Sequence, residues 1–396
     1  MKLHFHSAPV PEGVSLADWQ NWQWQLRHSL KTKDDFASRF VLSEHEAAGF
    51  DAAGSTFQIR STPYYASLAA TDEPKDPIRQ ILMPTKHELK FGAQALLDPL
   101  GEKRNNPAPR IIHRYPDRVL FLVTDTCSVY CRYCTRKHFT GGDEAFVRSR
   151  DYEMALSYIR SRPGVREVIL SGGDPLTLSD GQLERVLSDL RSIDSVEIIR
   201  IGSRMPVVCP MRVTPELVAM LRKFHPVFLM THFNHPREIT REAADALTLL
   251  VDHGVPVFNQ LVLLNGINND AAIIQAVSRR LLYLRAKPYY MFQCDPSEGT
   301  DHLRTSVDES LAIQRELWGR LSGLAMPNLS LDIPGGGGKV GLVPNFEVSR
   351  GDGWRSFEGW DGVRADYVDP DPAGRARPID ADQYQDEWAE LVSAKN

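Results

Sequence analysis

The chain has 396 residues, 42% of them hydrophobic and 24% charged, with a formal net charge of −5. That balance excludes extended disorder, and basic residues this scattered exclude a nucleic-acid surface. No apolar run approaches the roughly 20 residues of a membrane span. The opening MKLHFHSAPVPEG has no apolar signal core, so a cytoplasmic protein is expected.

Residues 1–110 read as mainly helical and irregular. SLADWQNWQWQLRHSL carries Trp19, Trp22 and Leu26 at helical spacing, and NNPAPR (105–110) reads as a linker. A regular alternation then begins. Strand-like runs start at Arg118, Arg166, Ser195, Pro226, Pro256 and Lys287. Helical stretches such as TPELVAMLRKF, TREAADALTLLVDHG and VDESLAIQRELWGRL follow or alternate with them. Six such units predict a parallel βα fold, either a partial (β/α)6 TIM-like barrel or a doubly wound sheet. The runs end at Cys127, Asp174, Ser203 with Arg204, His232, Gln260 and Asp295. Polar or reactive residues at all six exits predict one shared cavity above the sheet.

Five cysteines are present, and Cys127, Cys131 and Cys134 fall within eight residues in TDTCSVYCRYCTRKHF. Three thiolates at this spacing can ligate three irons of a four-iron cluster and leave the fourth open. The competing reading is a closed zinc site on a non-catalytic scaffold, with His138 as fourth ligand. Cys209 and Cys294 stand alone in apolar surroundings and read as structural. LDIPGGGGKVG sets Lys339 after four glycines, a run costly in chain entropy. Bare backbone lets a flat ligand come close while an amine swings into a cavity, as a Schiff-base lysine for pyridoxal phosphate requires. The competing reading is a hairpin. Val340 after the lysine does not match a nucleotide-binding loop.

Cys-x3-Cys-x2-Cys after the first βα strand resembles the radical S-adenosylmethionine (SAM) superfamily. CSVYCRYCTRKHF looks like the lysine 2,3-aminomutase family in particular. The resemblance runs from DPIRQ at Asp76 to about Asn345, through HRYPDR, SGGDPL, RIGSR, THFNHP, PYYMFQCD and PGGGGK in order. It implies a partial (β/α)6 barrel of the radical SAM type over 111–326, after a helical N-terminal segment (1–110). A pyridoxal-lysine segment and C-terminal extension would follow (327–396). It also implies a [4Fe-4S] cluster on Cys127, Cys131 and Cys134, SAM, and pyridoxal 5′-phosphate (PLP) on Lys339.

By the same resemblance Arg114, Tyr115 and Arg118 hold the PLP phosphate, and Gly172, Gly173 and Asp174 receive the methionyl amino group of SAM. Arg136 faces carboxylate groups of cofactor and substrate, while Tyr133, Ser203, His232 and Gln260 line the cofactor cavity. Asp295 and Asp332 meet a distal ammonium. Two carboxylates in one pocket call for a cation, which favours lysine over glutamate and leaves arginine or another cationic amino acid open. The implied reaction is 2,3-amino migration between L-lysine and β-lysine. The implied partners are a small amino acid substrate, an electron donor such as flavodoxin or ferredoxin, and further copies of the chain in a homo-oligomer, with no nucleic acid and no membrane. The tail after Pro344 has no cysteine, unlike the zinc-binding tail of clostridial-type members. Phe292 stands where some relatives have tyrosine.

Overall fold

A computed structural model describes residues 3–53, 58–90, 92, 95–137, 140, 145–371, 373, 376–379, 381–385 and 388–389. His138, weighed above as a zinc ligand, lies outside the described residues.

One nine-stranded sheet organises the chain. Its strands are β1 (Ile111–Tyr115), β2 (Arg118–Thr124), β3 (Glu167–Gly172), β4 (Ile198–Gly202), β5 (Val227–Thr231), β6 (Val257–Leu263), β7 (Ala286–Gln293), β8 (Asn328–Ile333) and β9 (Gly338–Gly341). They lie side by side in chain order. Strands β2 to β8 are parallel, and an antiparallel hairpin closes each flank, β1 on β2 and β9 on β8.

The helices Ser149–Arg160, Asp180–Arg191, Pro215–Arg222, Arg241–Asp252, Ala271–Tyr283 and Val307–Leu317 each follow one of β2 to β7. Six βα units therefore form the partial barrel expected from the alternation, and a seventh parallel strand, β8, extends it. Helix starts are fixed locally: Ser179, Thr214, Thr240, Asp270 and Ser306 each accept a first-turn N–H with a side-chain oxygen. The inner helical faces are apolar. Leu183, Val186, Leu187 and Leu190 recur at i, i+3, i+4 and i+7 and are fully buried. Each contributes on the order of 2 kcal/mol of burial.

Strand side chains alternate between that helical layer and the barrel interior. On β3, Val168 and Leu170 are fully buried, while Glu167, Ile169 and Ser171 face inward onto a cavity. β4 and β5 repeat the pattern with Ile198, Arg200 and Gly202, then Phe228, Met230 and His232. The interior is thus lined with alternate residues of mixed polarity, and it stays open where a closed eight-stranded barrel is filled.

Several elements differ from the sequence expectation. The first amphipathic stretch is two short helices, Leu16–Trp19 and Trp22–Arg27, because Asn21 leaves helical geometry and caps the second through Trp24 N–H (3.0 Å). The HRYPDR motif is the turn of the β1–β2 hairpin, with Tyr115 opposite Arg118. Beyond the barrel, Glu347–Gly351, Trp354–Glu358 and Arg364–Val368 form a separate three-stranded antiparallel sheet where no strand was expected. Among the described residues no helix is long and apolar enough to cross a membrane.

Candidate active site

A cavity of about 730 Å³ runs along the barrel interior from the strand starts at Arg118 and Glu167 to the strand exits at Ser171, Gly202 and His232. Every residue singled out above for a site role lines it. The expected cavity over the strand exits is therefore only its upper half.

The loop leaving β2 carries Cys127, Cys131 and Cys134, all free thiols. The N-terminal segment fixes its backbone. Arg60 Nη1 donates to the Cys127 carbonyl (3.1 Å), and Tyr130 N–H donates to the Arg60 carbonyl (3.1 Å). Arg132 N–H reaches Ile81 O (3.0 Å), and its guanidinium pairs with buried Glu88 (2.5 Å). Burial pushes the Cys127 thiol well above its ordinary value, helped by Cys134, Asp174 and Cys131. Neutral thiols buried this way need a metal to become thiolates. Among the described residues no three His, Cys, Asp or Glu side chains converge on a single-ion site. Three free thiols on one short loop suit a four-iron cluster with one iron left open.

Gly172 and Gly173 are dictated by backbone crowding. Gly172 has φ +123°, and a Cβ there would sit 2.2 Å from Thr124 O; one on Gly173 would sit 2.2 Å from Thr126 O. The close approach they permit is to the backbone entering the cysteine loop, sealed by Gly173 N–H to Thr124 O (2.7 Å) and Asp174 N–H to Thr126 O (2.8 Å). Asp174 accepts from Ser203 Oγ (2.6 Å), Leu176 N–H (3.0 Å) and Arg204 N–H (2.7 Å). Its carboxylate and the Ser203 hydroxyl therefore lock the β3 and β4 exits together.

Arg136 lies against the same exits. Its Nε and Nη2 grip Glu102 (2.9 and 2.6 Å), and Nη1 donates to Ser171 Oγ (2.8 Å). His232 is pulled down to about 4 by burial first and then by the Arg204 and Arg136 guanidinium groups, so a neutral imidazole faces the cavity. Tyr133 Oη accepts from Asn234 Nδ2 (2.7 Å), and Gln260 lines the wall beside His232 on the next strand.

At the other side of the cavity two hairpins meet. The glycine run is the β8–β9 turn, with Gly335, Gly336 and Gly338 at positive φ. Its register sets Lys339 directly opposite Asp332, which explains their spacing in the sequence. Lys339 Nζ lies 3.3 Å from Asp332 Oδ2 and 5.2 Å from the Phe292 ring centre. The β1 hairpin closes the gap at the barrel edge. Tyr115 Oη accepts from Lys339 N–H (2.9 Å), and Arg114 Nη1 pairs with Asp332 (3.4 Å). Arg118 stacks 4.0 Å over the Tyr115 ring. The Nε of Arg114 is buried without a hydrogen-bond partner among the described residues. Such a guanidinium donor, beside a tyrosine and a second arginine, fits the phosphate of PLP.

Asp295 faces this group from the exit of β7. Burial and the neighbouring Asp332 push its carboxyl up to about 7, against the pull of Lys339 and Arg114. Two carboxylates thus line one region of the cavity beside Lys339 and Arg114.

Sequence reasoning missed Glu102, which reaches Arg136 from the N-terminal segment, and the side chains that surround Arg204. Arg204 appeared only as a strand-end residue. It reaches Cys131 Sγ, Glu238 and Tyr65 together. Arg200, paired with Glu167 in the lower cavity, was also missed. The inward alternation along β3 and β4 is the signal that could have found that pair.

Comparison with known proteins agrees with this geometry. The model of the radical SAM superfamily matches residues 121–275, and that of lysine-2,3-aminomutase matches residues 314–396. L-Lysine 2,3-aminomutase of Clostridium subterminale is 45% identical over 357 residues, 90% of this chain and 86% of that protein. The Bacillus subtilis enzyme of the same name is 42% identical over 97% of this chain and 81% of its own. Glutamate 2,3-aminomutase of Clostridioides difficile is 40% identical over 93% of this chain and 87% of its own. With such identity extending over nine-tenths of its length, this chain belongs to the lysine 2,3-aminomutase family of radical SAM proteins.

Proposed function

We propose that this protein is a lysine 2,3-aminomutase, an isomerase that interconverts L-lysine and β-lysine (3,6-diaminohexanoate) by moving the amino group between C2 and C3. The observation that carries the reading is the pair Asp295 and Asp332, two carboxylates that line the same cavity as Lys339, Arg114 and the cysteine triad. When bound, the cluster with SAM supplies a 5′-deoxyadenosyl radical, and PLP carries the migrating nitrogen and delocalises the unpaired electron.

The residues divide the remaining work. Cys127, Cys131 and Cys134 hold the cluster, while Gly172, Gly173 and Asp174 shape the wall for the methionyl group of SAM. Tyr133, Ser203, His232 and Gln260 complete that wall, and His232 stays neutral beside a sulfonium. Arg114, Tyr115 and Arg118 would hold the PLP phosphate, and Lys339 would hold its aldehyde carbon. Arg136 binds a carboxylate through a guanidinium fork. Asp295 and Asp332 take the distal ammonium of lysine, and the same pair repels the side-chain carboxylate of glutamate. The protein works in the cytoplasm as a homo-oligomer, reduced by a donor of the flavodoxin or ferredoxin class.

The test is anaerobic turnover after reconstitution with iron and sulfide, with PLP, SAM and dithionite. Lysine, arginine and glutamate are supplied separately and the β-amino acid is followed by mass spectrometry. β-Lysine formation, lost in Lys339→Ala and Cys131→Ala, is the expected result. Deoxyadenosine release without β-amino acid from any of the three would overturn the substrate assignment.

A further inference from the structure

Arg204, at the exit of β4, is used by nothing in the reading above, yet all three of its guanidinium nitrogens are engaged beside the cysteine loop. Its Nη1 lies 2.8 Å from Cys131 Sγ. Nη2 donates to Tyr65 Oη (2.9 Å) and to Glu238 Oε1 (2.5 Å), and Nε donates to the His232 carbonyl (3.3 Å). The guanidinium stands 4.9 Å from the Tyr65 ring centre and 5.7 Å from that of Tyr133. The Arg204 side chain is 9% exposed and that of Glu238 is fully buried.

Each partner is itself held. Tyr65 Oη donates to Glu238 Oε1 (2.7 Å). The other Glu238 oxygen accepts the N–H groups of Asn234 (2.5 Å) and His235 (3.0 Å). The guanidinium therefore has a fixed aim, and that aim includes one of the three cysteine sulfurs.

We propose that Arg204 donates a charge-assisted hydrogen bond to the Cys131 thiolate and thereby raises the reduction potential of the four-iron cluster. This rests on the assignment of the cysteine triad as the cluster ligands. A donor on a ligating sulfur draws electron density from the cluster and favours its more negative, reduced form. One electron enters, from a low-potential protein reductant of the flavodoxin or ferredoxin class or from dithionite, and takes the cluster from the 2+ to the 1+ state. No bond to Arg204 forms or breaks. Glu238 balances the guanidinium charge, and Tyr65 ties the pair to the N-terminal segment. Arg204 is thus a positioning residue acting through Cys131.

Two variants isolate the hydrogen bond because each leaves the net charge of the group unchanged. Arg204→Lys keeps the cation opposite Glu238, but an ammonium lacks the fork that spans sulfur and carboxylate. The double variant Arg204→Gln with Glu238→Gln removes both charges together, which avoids a lone buried ion. The midpoint potential of the anaerobically reconstituted protein is measured by EPR-monitored redox titration without SAM, alongside iron content and absorbance. The expected result is a more negative midpoint in a variant that carries wild-type iron. An unchanged midpoint in the iron-loaded variants would overturn the proposal, leaving Arg204 a packing role. Loss of iron from both variants would also overturn it, because Arg204 would then serve cluster assembly. Wild-type iron content that is lost in Cys131→Ala checks the underlying ligand assignment separately.

Discussion

Arg136 and Glu102 are locked along one edge of the guanidinium, with Glu102 oxygens 2.6 to 3.0 Å from Nη2 and Nε. Ser171 takes a proton of Nη1 at 2.8 Å, and one N–H on each terminal nitrogen remains for another acceptor. In the proposed reading Glu102 is a buttress that presents the outer fork to the substrate carboxylate. Both side chains keep under a fifth of their surface exposed, 18% and 17%, so the brace is partly screened. Glu102→Gln is expected to raise KM for lysine about tenfold, roughly 1.4 kcal/mol, with kcat nearly unchanged. If Glu102 instead competed with substrate for Arg136, KM would fall. Steady-state kinetics under anaerobic conditions separate the two.

The Asp295 carboxyl, held near 7 by burial and Asp332, gives lysine binding a pH dependence of defined sign. Lysine needs the ionised form, which is lost as pH falls through 7. Among its charged neighbours, Lys339, Arg114 and Arg304 favour ionisation and Asp332 opposes it. KM for lysine should therefore rise up to tenfold per pH unit below about 7, and binding at pH 7 should release protons. Asp295→Asn is expected to flatten this profile and weaken lysine by at least about 30-fold, the lower end for breaking a buried charge pair. Calorimetry in buffers of different ionisation enthalpy counts the protons, and no buffer dependence would sink the idea.

How far the sequence reached depends on the range of the interactions. The six βα units, the cysteine loop and the Lys339 turn were readable because each is built from neighbours in the chain: strand runs, caps, glycines. β8 and β9 escaped because NLSLDI and GKVG are short and take their strand character from pairing with β7 and with each other. Glu102 lies 34 residues from Arg136 in sequence, and Tyr65 lies 139 from Arg204. No local pattern marks either one. Asp174 was legible as a site residue, but not its hydrogen bonds to Ser203 and Arg204, which require the β3 and β4 exits to be neighbours.

The unpartnered Nε of Arg114 gives a test of the phosphate assignment. Arg114→Lys keeps the charge next to Asp332 but removes the planar fork. PLP affinity should fall at least about tenfold, within the range for loss of a charged hydrogen bond. This is read by titrating the apoprotein and following the visible absorbance of bound PLP. Iron content should stay unchanged, since Arg114 lies by the β1–β2 turn, at the opposite end of β2 from the cysteine loop. Wild-type PLP affinity in this variant would remove Arg114 from the phosphate site.

Gly172 separates two explanations for one motif. If its role were to admit a ligand, alanine there would spare the fold and weaken SAM binding alone. The geometry argues otherwise, since the added Cβ would meet the Thr124 carbonyl oxygen at 2.2 Å in a backbone of φ +123°. Neither contact partner is a flexible side chain. The strained dihedral costs about 1–3 kcal/mol, and forcing β2 and β3 apart adds to it, so Gly172→Ala should destabilise the apoprotein by about 3 kcal/mol or more. Urea denaturation under reducing conditions, without cofactors, reads this directly. A wild-type midpoint in that experiment, with SAM binding lost after reconstitution, would assign the glycine to the ligand rather than to the sheet. An early midpoint would make the β2–β3 contact the reason for the motif, with the cysteine loop displaced as a consequence.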